Sequence, residues 1–372
     1  MGDPREAAKA VDEAVQKDER TSTTAVPGSP PSWRRVSARA IGSGVGVLAV
    51  RREVGPLLVL ILLAVYFQSV TGHFLEPEQI LSLGSLGSSI AIVSVGVTLL
   101  IVSGEFDLSV GSTYAFAPIA MALFLIDWQL PDWLALLAAL ALTAVLGVVN
   151  GVITTYFGIP SLITTLAASF GINGLNIYVT DGNNLLYFHP SAVLSALGGA
   201  VGGTAIQAPV VWAIAVTAVL WFVLEWTPYG NWAAAAGGRG GVGREMGVAV
   251  RRVKITNFAL CSLTAGFAGC ISFAAYGAVN SGYGQNYQLL AIVATVVGGT
   301  SIFGVTGSII GAFIGSLTLA TLSTGIILAG APGSWYQSII GVVLVVAVIA
   351  NVRIASFGER LLRLSPGRRT PK

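Results

Sequence analysis

The chain has 372 residues, 54% of them hydrophobic and only 10% charged, with a mean hydropathy of +0.78 and a net charge of +3. A soluble domain carries about 25% charged residues, so this chain has too few to coat a water-facing globule. The high apolar content excludes a disordered protein, and the small net charge excludes a nucleic-acid binder.

Charge placement settles the class. All 20 lysines and arginines fall in three places: nine between Arg5 and Arg52, five between Arg239 and Lys254, six from Arg353 to Lys372. A cation at a bilayer centre costs roughly 2.5–3.5 kcal/mol on insertion scales. The long cation-free tracts between these clusters therefore read as spans, and the chain as an all-α polytopic membrane protein.

In chain order, residues 1–53 mix charge with Ser, Thr and Pro and read as a basic, disordered cytoplasmic tail. Ile41–Val50 is too short to span and is flanked by arginines, so no secretory signal is expected. The cations from Arg34 to Arg52 either lie along an anionic inner leaflet or only orient the first span. Spans are expected at Val54–Val70, Ile80–Val102, Leu108–Ile126, Trp133–Phe157, Ser161–Val179, Pro209–Trp226, Ile255–Val279, Gln288–Phe303, Gly307–Leu328 and Trp335–Val352. That makes about ten transmembrane helices, some short or broken, in a transmembrane domain 54–352 followed by a basic cytoplasmic tail 353–372. Cations favour the cytoplasmic side. Two basic tails require an even number of spans, and the basic loop 227–254 must follow an even number too. Six spans precede it and four follow, so parity agrees, with both termini cytoplasmic.

Glycine supplies 46 residues, about 12% against a usual ~7%. Runs such as Gly304, Gly307, Gly311 and Gly315 permit close helix crossings or mark broken helices. Cys261 and Cys270 share one apolar tract, too far apart along a helix to form a bridge. His73 and His189 fall in separate loops, so no metal site is expected. No G-x-x-x-x-G-K-[ST] stretch occurs, and none of the four lysines follows a glycine. The chain therefore carries no P-loop, and no nucleotide cofactor of its own is expected.

Four polar, glycine-rich segments interrupt the apolar background. Gly104 to Ser112 holds Glu105 and Asp107, which must sit at a turn or line a polar cavity; Asp107 is also placed to cap the next span. Asn150-Gly151 precedes Gly158-Ile159-Pro160 and Thr165, with Asn173 and Asn176 further along the same span. Amides at that depth serve either as interhelical glue or as contacts for a polar solute. The loop 227–254 contains Gly237, Gly238, Arg239, Arg244, Glu245, Met246 and Gly247, with alternating apolar residues suited to docking in a partner's cleft. The last segment is Gly298-Gly299-Thr300-Ser301, continuing to Gly304, Gly307-Ser308 and Gly311.

Taken in order, these segments resemble the permease subunits of ribose/xylose/galactoside-type ABC importers. The resemblance rests on Gly104, Asp107 to Ser112 (with Ser109 and Gly111), Asn150-Gly151, Ile159-Pro160, Ile163, Thr165-Leu166, Thr227, Gly230, Ala235, Gly237-Gly238, Arg244, Gly247, Gly298 to Ser301, Gly304, Gly307-Ser308 and Gly311. It spans roughly residues 54–352. The loop departs from the pattern: Asn231 stands where the family has Arg, and Arg239-Gly240-Gly241-Val242-Gly243 replaces an acidic stretch. The resemblance implies a bacterial inner-membrane protein that is not itself an enzyme. It implies pairing with a second permease subunit, a homodimer or a paralogue. Separate ATPase subunits, which themselves bind ATP and Mg, would dock at the loop around Gly237 to Gly247, and an extracytoplasmic binding protein would deliver a sugar or related polar solute. The alternative is an ion-coupled secondary transporter, and a membrane-embedded enzyme is a third class. The first would need ionisable residues deep in the spans, the second a nucleophile–base pair or metal cluster there.

Overall fold

The computed structural model of the chain describes residues 53–189, 191–238 and 242–364. The tail 1–52, the residues around Arg239 and the residues after 364 lie outside that description. In hydrocarbon every backbone N–H and C=O must be satisfied within the protein, so apolar tracts fold as helices. Those described are α1 (Val54–Thr71), α2 (Pro77–Val102), α3 (Val110–Ile126), α4 (Asp132–Tyr156), α5 (Ser161–Thr180), α6 (Ala192–Gly198), α7 (Ala208–Trp226), α8 (Pro228–Gly237), α9 (Val242–Glu245), α10 (Val250–Tyr276), α11 (Tyr287–Val297), α12 (Ile309–Leu328) and α13 (Trp335–Leu364). Seven of them, α1, α2, α4, α5, α7, α10 and α12, are long and apolar enough to cross a membrane, and three shorter apolar stretches lie in α3, α11 and α13. The chain is thus an all-α multi-pass membrane protein. The one sheet described is a pair of two-residue strands, β1 (Leu185–Leu186) and β2 (Ala278–Val279), with Leu185 opposite Val279.

Helix ends sort into two sets through their contacts. At one end Lys254 meets Glu105, the Phe106 amide donates to Ser161, Arg251 lies over Tyr156, and the Val305 amide donates to the Val102 carbonyl. At the other end β1 pairs with β2, Ser191 donates to Asp132, and Phe67 packs on Phe74. The first set carries the internal cations and is the basic end.

Two expected spans are shorter than the apolar runs that suggested them. The third begins at Val110 rather than Leu108, and the eighth stops at Val297, leaving 298–308 as an irregular connection. The physical reason lies in glycine and hydroxyl side chains that open the helix before the hydrophobicity ends. The last helix runs beyond the expected Val352 to Leu364.

The core is organised around α2, buried from Gly87 to Val102, and α10, which packs on α4, α2 and α3. Lipid supplies no hydrophobic force between helices, so close crossings matter. Gly147 and Gly151, one helical turn apart on α4, meet α10 directly. A Cβ at Gly147 would lie 2.5 Å from the Phe258 carbonyl oxygen and one at Gly151 2.8 Å from the Ile255 Cα. Cys261 and Cys270 are buried, unbridged residues of α10, as expected. At mid-height Tyr114 shares a hydrogen bond with Ser272 at 2.6 Å and stacks on Tyr287 at 4.3 Å and Tyr283 at 5.6 Å.

Gly147→Val places two methyl groups against the α10 backbone and should cost about 1–3 kcal/mol. Gly174 has open space around its Cβ position, so Gly174→Ala should be neutral or gain about 0.5–1 kcal/mol of helix stability. Thermal unfolding of the two variants in detergent reads the difference; equal midpoints would contradict the α4–α10 crossing.

Candidate functional site

At the basic end the chain leaves helical geometry between α2 and α3 and again between α11 and α12, and α8 ends between these two breaks. Each break frees amides that need partners. In the first, Ser103 folds its hydroxyl onto the Leu100 carbonyl at 2.7 Å, and Gly104 turns the chain at φ +81. The Phe106 and Leu108 amides then donate to Ser161 and Thr165 hydroxyls at the start of α5, at 3.2 and 2.9 Å. Asp107, 1% exposed, accepts from both the amide and the hydroxyl of Ser109 at 2.7 and 2.5 Å, and Asn150 of α4 donates to the Ser109 hydroxyl at 3.0 Å. Asp107 therefore braces Ser109 two residues on. The capping role open to it from sequence does not occur, because α3 starts without a side-chain cap.

In the second break Gly299 and Gly304 have φ +86 and +80, and Val305 has φ +70. A β-branched residue in the left-handed region is a true outlier. It is held there by its amide, which donates to the Val102 carbonyl at 2.9 Å. Ser308 caps α12 by accepting from the Gly311 amide at 3.0 Å and donates to Glu53 at 2.8 Å.

Between the breaks lies α8. Thr227 caps its start, and the Tyr229 hydroxyl donates to Asn257 of α10 at 2.6 Å. Asn257 in turn donates to the Leu99 carbonyl of α2 at 3.2 Å. Burial pushes the Tyr229 phenol up to about 12, so it stays a donor at neutral pH. The last residue of α8, Gly237, sits against both breaks. A Cβ there would be 3.0 Å from the Gly104 amide nitrogen and would overlap the Val102 carbonyl. One at Gly304 would be 3.1 Å from the Gly104 Cα and 3.2 Å from the Gly237 carbonyl oxygen. Three glycines from three segments thus form one backbone junction. Lys254 at the start of α10 completes it through its ion pair with Glu105 at 2.6 Å, both side chains mostly buried.

The comparisons with known proteins bear on the same segments. Residues 79–348 match the family described as branched-chain amino acid transport system / permease component. The chain belongs to this family of transport-system permeases. It is 33% identical over 298 residues to the ribose import permease protein RbsC of Escherichia coli K12, covering 79% of this chain and 92% of that protein. The probable ABC transporter permease protein YphD of the same strain is 31% identical over 311 residues, covering 84% of this chain and 92% of the relative. The xylose/arabinose import permease protein XylH of Sulfolobus acidocaldarius is 30% identical over 310 residues, covering 81% and 85%. No solved structure matches the chain.

The permease's sequence-derived site residues fall into distinct places. Asp107, Ser109, Asn150 and Thr165 come together in the first break, with Pro160 immediately before α5. Gly111 is the second residue of α3, where a Cβ would be 2.9 Å from the Gly284 carbonyl oxygen; Gly298 lies against Gly311. Thr300 is buried in the second break. Asn176 donates to the Ser112 carbonyl at 3.3 Å, the glue reading of that amide, whereas Asn173 is half-buried. Arg244, Glu245 and Met246 are exposed, Gly238 follows α8, and Arg239 lies outside the described residues. Within this chain a Cβ at Gly247 meets open space, and its φ of +78 calls for glycine. The close approach made inside the chain is that of Gly237. The sequence reading missed the Lys254–Glu105 pair, Asn257 and Ser161. Of these only Ser161, one residue after Pro160, left a local signal.

Gly304→Ala forces a side chain into the left-handed region and against Gly104, at a cost of about 1–2 kcal/mol. Val305→Gly should raise stability by about 0.5 kcal/mol, since relief of strain exceeds the added chain entropy. Opposite shifts in unfolding midpoint are expected; a stabilised Gly304→Ala variant would remove the junction from consideration.

Proposed function

We propose that the chain is the membrane-spanning subunit of an ATP-driven importer for a sugar or related small polar solute. It would pair with a second permease subunit, take solute from an extracytoplasmic binding protein and be powered by separate ATPase subunits. The relatives named for ribose and for xylose/arabinose import support the solute class. Ten spans with both termini cytoplasmic are supported by the seven long and three short apolar helices among the described residues. The basic end then faces the cytoplasm of a bacterial inner membrane, domain 54–352 forms the permease, and both tails remain inside.

The observation that carries the mechanism is the position of Gly237. The segment offered to an ATPase, Gly237 to Gly247, is joined at its first residue to both helix breaks. A displacement of α8 by the ATPases therefore reaches the α2–α3 and α11–α12 connections through backbone rather than through long side chains. Those connections hold Asp107, Ser109, Gly298, Gly299 and Thr300; Ser109 ties on to Asn150 and the Leu108 amide to Thr165. Motion there changes how α3, α5 and α12 sit. Asn173, half-buried on α5, supplies a weak polar contact for a passing solute. Transport needs contacts that are easily released, and neither a metal nor a cofactor on this chain is part of the reading.

Co-expression with the neighbouring transport components tests the assignment: an ATPase and a binding protein should co-purify, and uptake should require both. Accumulation driven by a proton or sodium gradient through the single purified chain would favour the ion-coupled carrier instead. Cysteine at Gly241 should be labelled only from the cytoplasm and at Asn184 only from outside. Lys254→Glu should reduce coupled uptake by about fivefold, roughly 1 kcal/mol, and Lys254→Glu with Glu105→Lys should recover most of it. A double variant no better than the single would deny the pair a part in coupling.

A further inference from the structure

Beside the junction, on the surface of the basic end, lies an open groove of about 610 Å³ lined by Tyr156, Arg244, Val248, Ala249, Val250, Arg251 and Arg252. Three of its seven lining residues are arginines, all exposed, and the ion pair described at this end involves none of them. The carboxylate nearest in sequence, Glu245, is exposed and is not among the lining residues. Arg251 is held with its guanidinium 5.1 Å above the Tyr156 ring. The first turn of α10 also opens on this groove, with no acidic residue and no side-chain cap at Ala249. Fixed positive charge and uncapped amides together suit a phosphate group.

What surrounds the groove selects the phosphate's carrier. Tyr156 and Phe157 are exposed at the end of α4, and Val145 and Val149 continue the same exposed apolar stripe along the helix. Aromatic side chains at a helix end mark the headgroup level of a bilayer, and apolar side chains beyond them face acyl chains. A soluble anion would use the arginines and leave the stripe idle. A phospholipid uses both.

We propose that this groove binds the headgroup phosphate of an anionic phospholipid, with its acyl chains along α4. The lipid joins the end of the 227–254 segment, through Arg244 and Arg251, to α4, and it makes a specific site of cations that would otherwise only orient the spans. This goes beyond the transport reading and does not depend on which solute is carried.

Native mass spectrometry of the full chain in detergent, titrated with phosphatidylglycerol or phosphatidylcholine, tests it. Phosphatidylglycerol should be retained at much lower concentration than phosphatidylcholine. Arg251→Gln with Arg252→Gln should weaken phosphatidylglycerol binding by about 30-fold, the loss of two surface cations, and leave phosphatidylcholine binding unchanged. Arg251→Lys with Arg252→Lys should retain most of the binding, and Arg368→Gln with Arg369→Gln in the tail should have no effect. The unfolding midpoint of the glutamine variant controls for misfolding, and Arg252→Gln alone gives a milder version of the same loss. Equal phosphatidylglycerol binding by wild type and the glutamine variant would overturn the proposal. So would displacement of the lipid by inorganic phosphate, which would mark a site for soluble anions. Loss of ATPase co-purification with lipid binding intact would assign the groove to a protein partner and equally overturn it.

Discussion

A chain that leaves helical geometry where it is buried among packed helices must find a partner for each amide it frees, because apolar surroundings offer none. The rest of this permease is arranged around that constraint. The break after α2 is tolerated because Ser161 and Thr165 of α5 receive the Phe106 and Leu108 amides and Asp107 receives that of Ser109. The break after α11 is tolerated because Val102 receives the Val305 amide and Ser308 that of Gly311. Each break is thus satisfied partly by a distant segment, so neither can form without the other elements in place. The hydroxyl-rich start of α5 and the glycine-rich start of α12 answer the same need with different chemistry.

The same constraint explains where glycine is unavoidable. Three irregular segments can share partners only if their backbones come close, and Gly104, Gly237 and Gly304 have no side chain to separate them. Val305 accepts a costly left-handed conformation because its amide is aimed at Val102 by it. Strain of this sort is maintained only where the surroundings over-determine it, and here a hydrogen bond and two neighbouring glycines do so.

Much of this was legible in the sequence and some of it could not be. The cation-free tracts give the helices, since charge exclusion from lipid acts on each residue separately. The four glycine-rich motifs mark both breaks and α8, because local backbone needs leave local composition. Helix ends inside an apolar run are less visible: Leu108 and Phe303 are hydrophobic, so the third and eighth spans look longer than they are. Gly237 and Gly247 look alike in sequence, yet one serves close approach and the other a left-handed turn. The Lys254–Glu105 pair joins residues 149 positions apart, and nothing in either neighbourhood names the other. Asn257 is hidden for a different reason: an amide in an apolar helix has the same sequence signature whether it bridges two helices, as here, or faces a solute.

The strength of the junction bears on how it can work. A wedge of glycines sets α8 against the two breaks. The Tyr229–Asn257–Leu99 chain of hydrogen bonds ties α8 to α10 and α2, and the Lys254–Glu105 ion pair ties α10 to the first break. One backbone hydrogen bond ties the breaks to each other. Hydrogen bonds of this kind contribute about 0.5–1.5 kcal/mol each, and an ion pair of partial exposure about 1 kcal/mol or somewhat more. Their sum is a few kcal/mol. Moving a two-state element from one conformation to the other, from 1:99 to 99:1, takes about 5.5 kcal/mol. A junction much weaker than this would slip when α8 is displaced and leave the breaks behind. One much stronger would fix α2, α3, α11 and α12 in a single arrangement. The close-packed glycines carry force by steric contact, which costs nothing to maintain and does not stretch. The hydrogen bonds can exchange one at a time as the elements shift. Backbone contact for transmission and modest polar bonds for release are what a coupled permease requires at this end of the molecule.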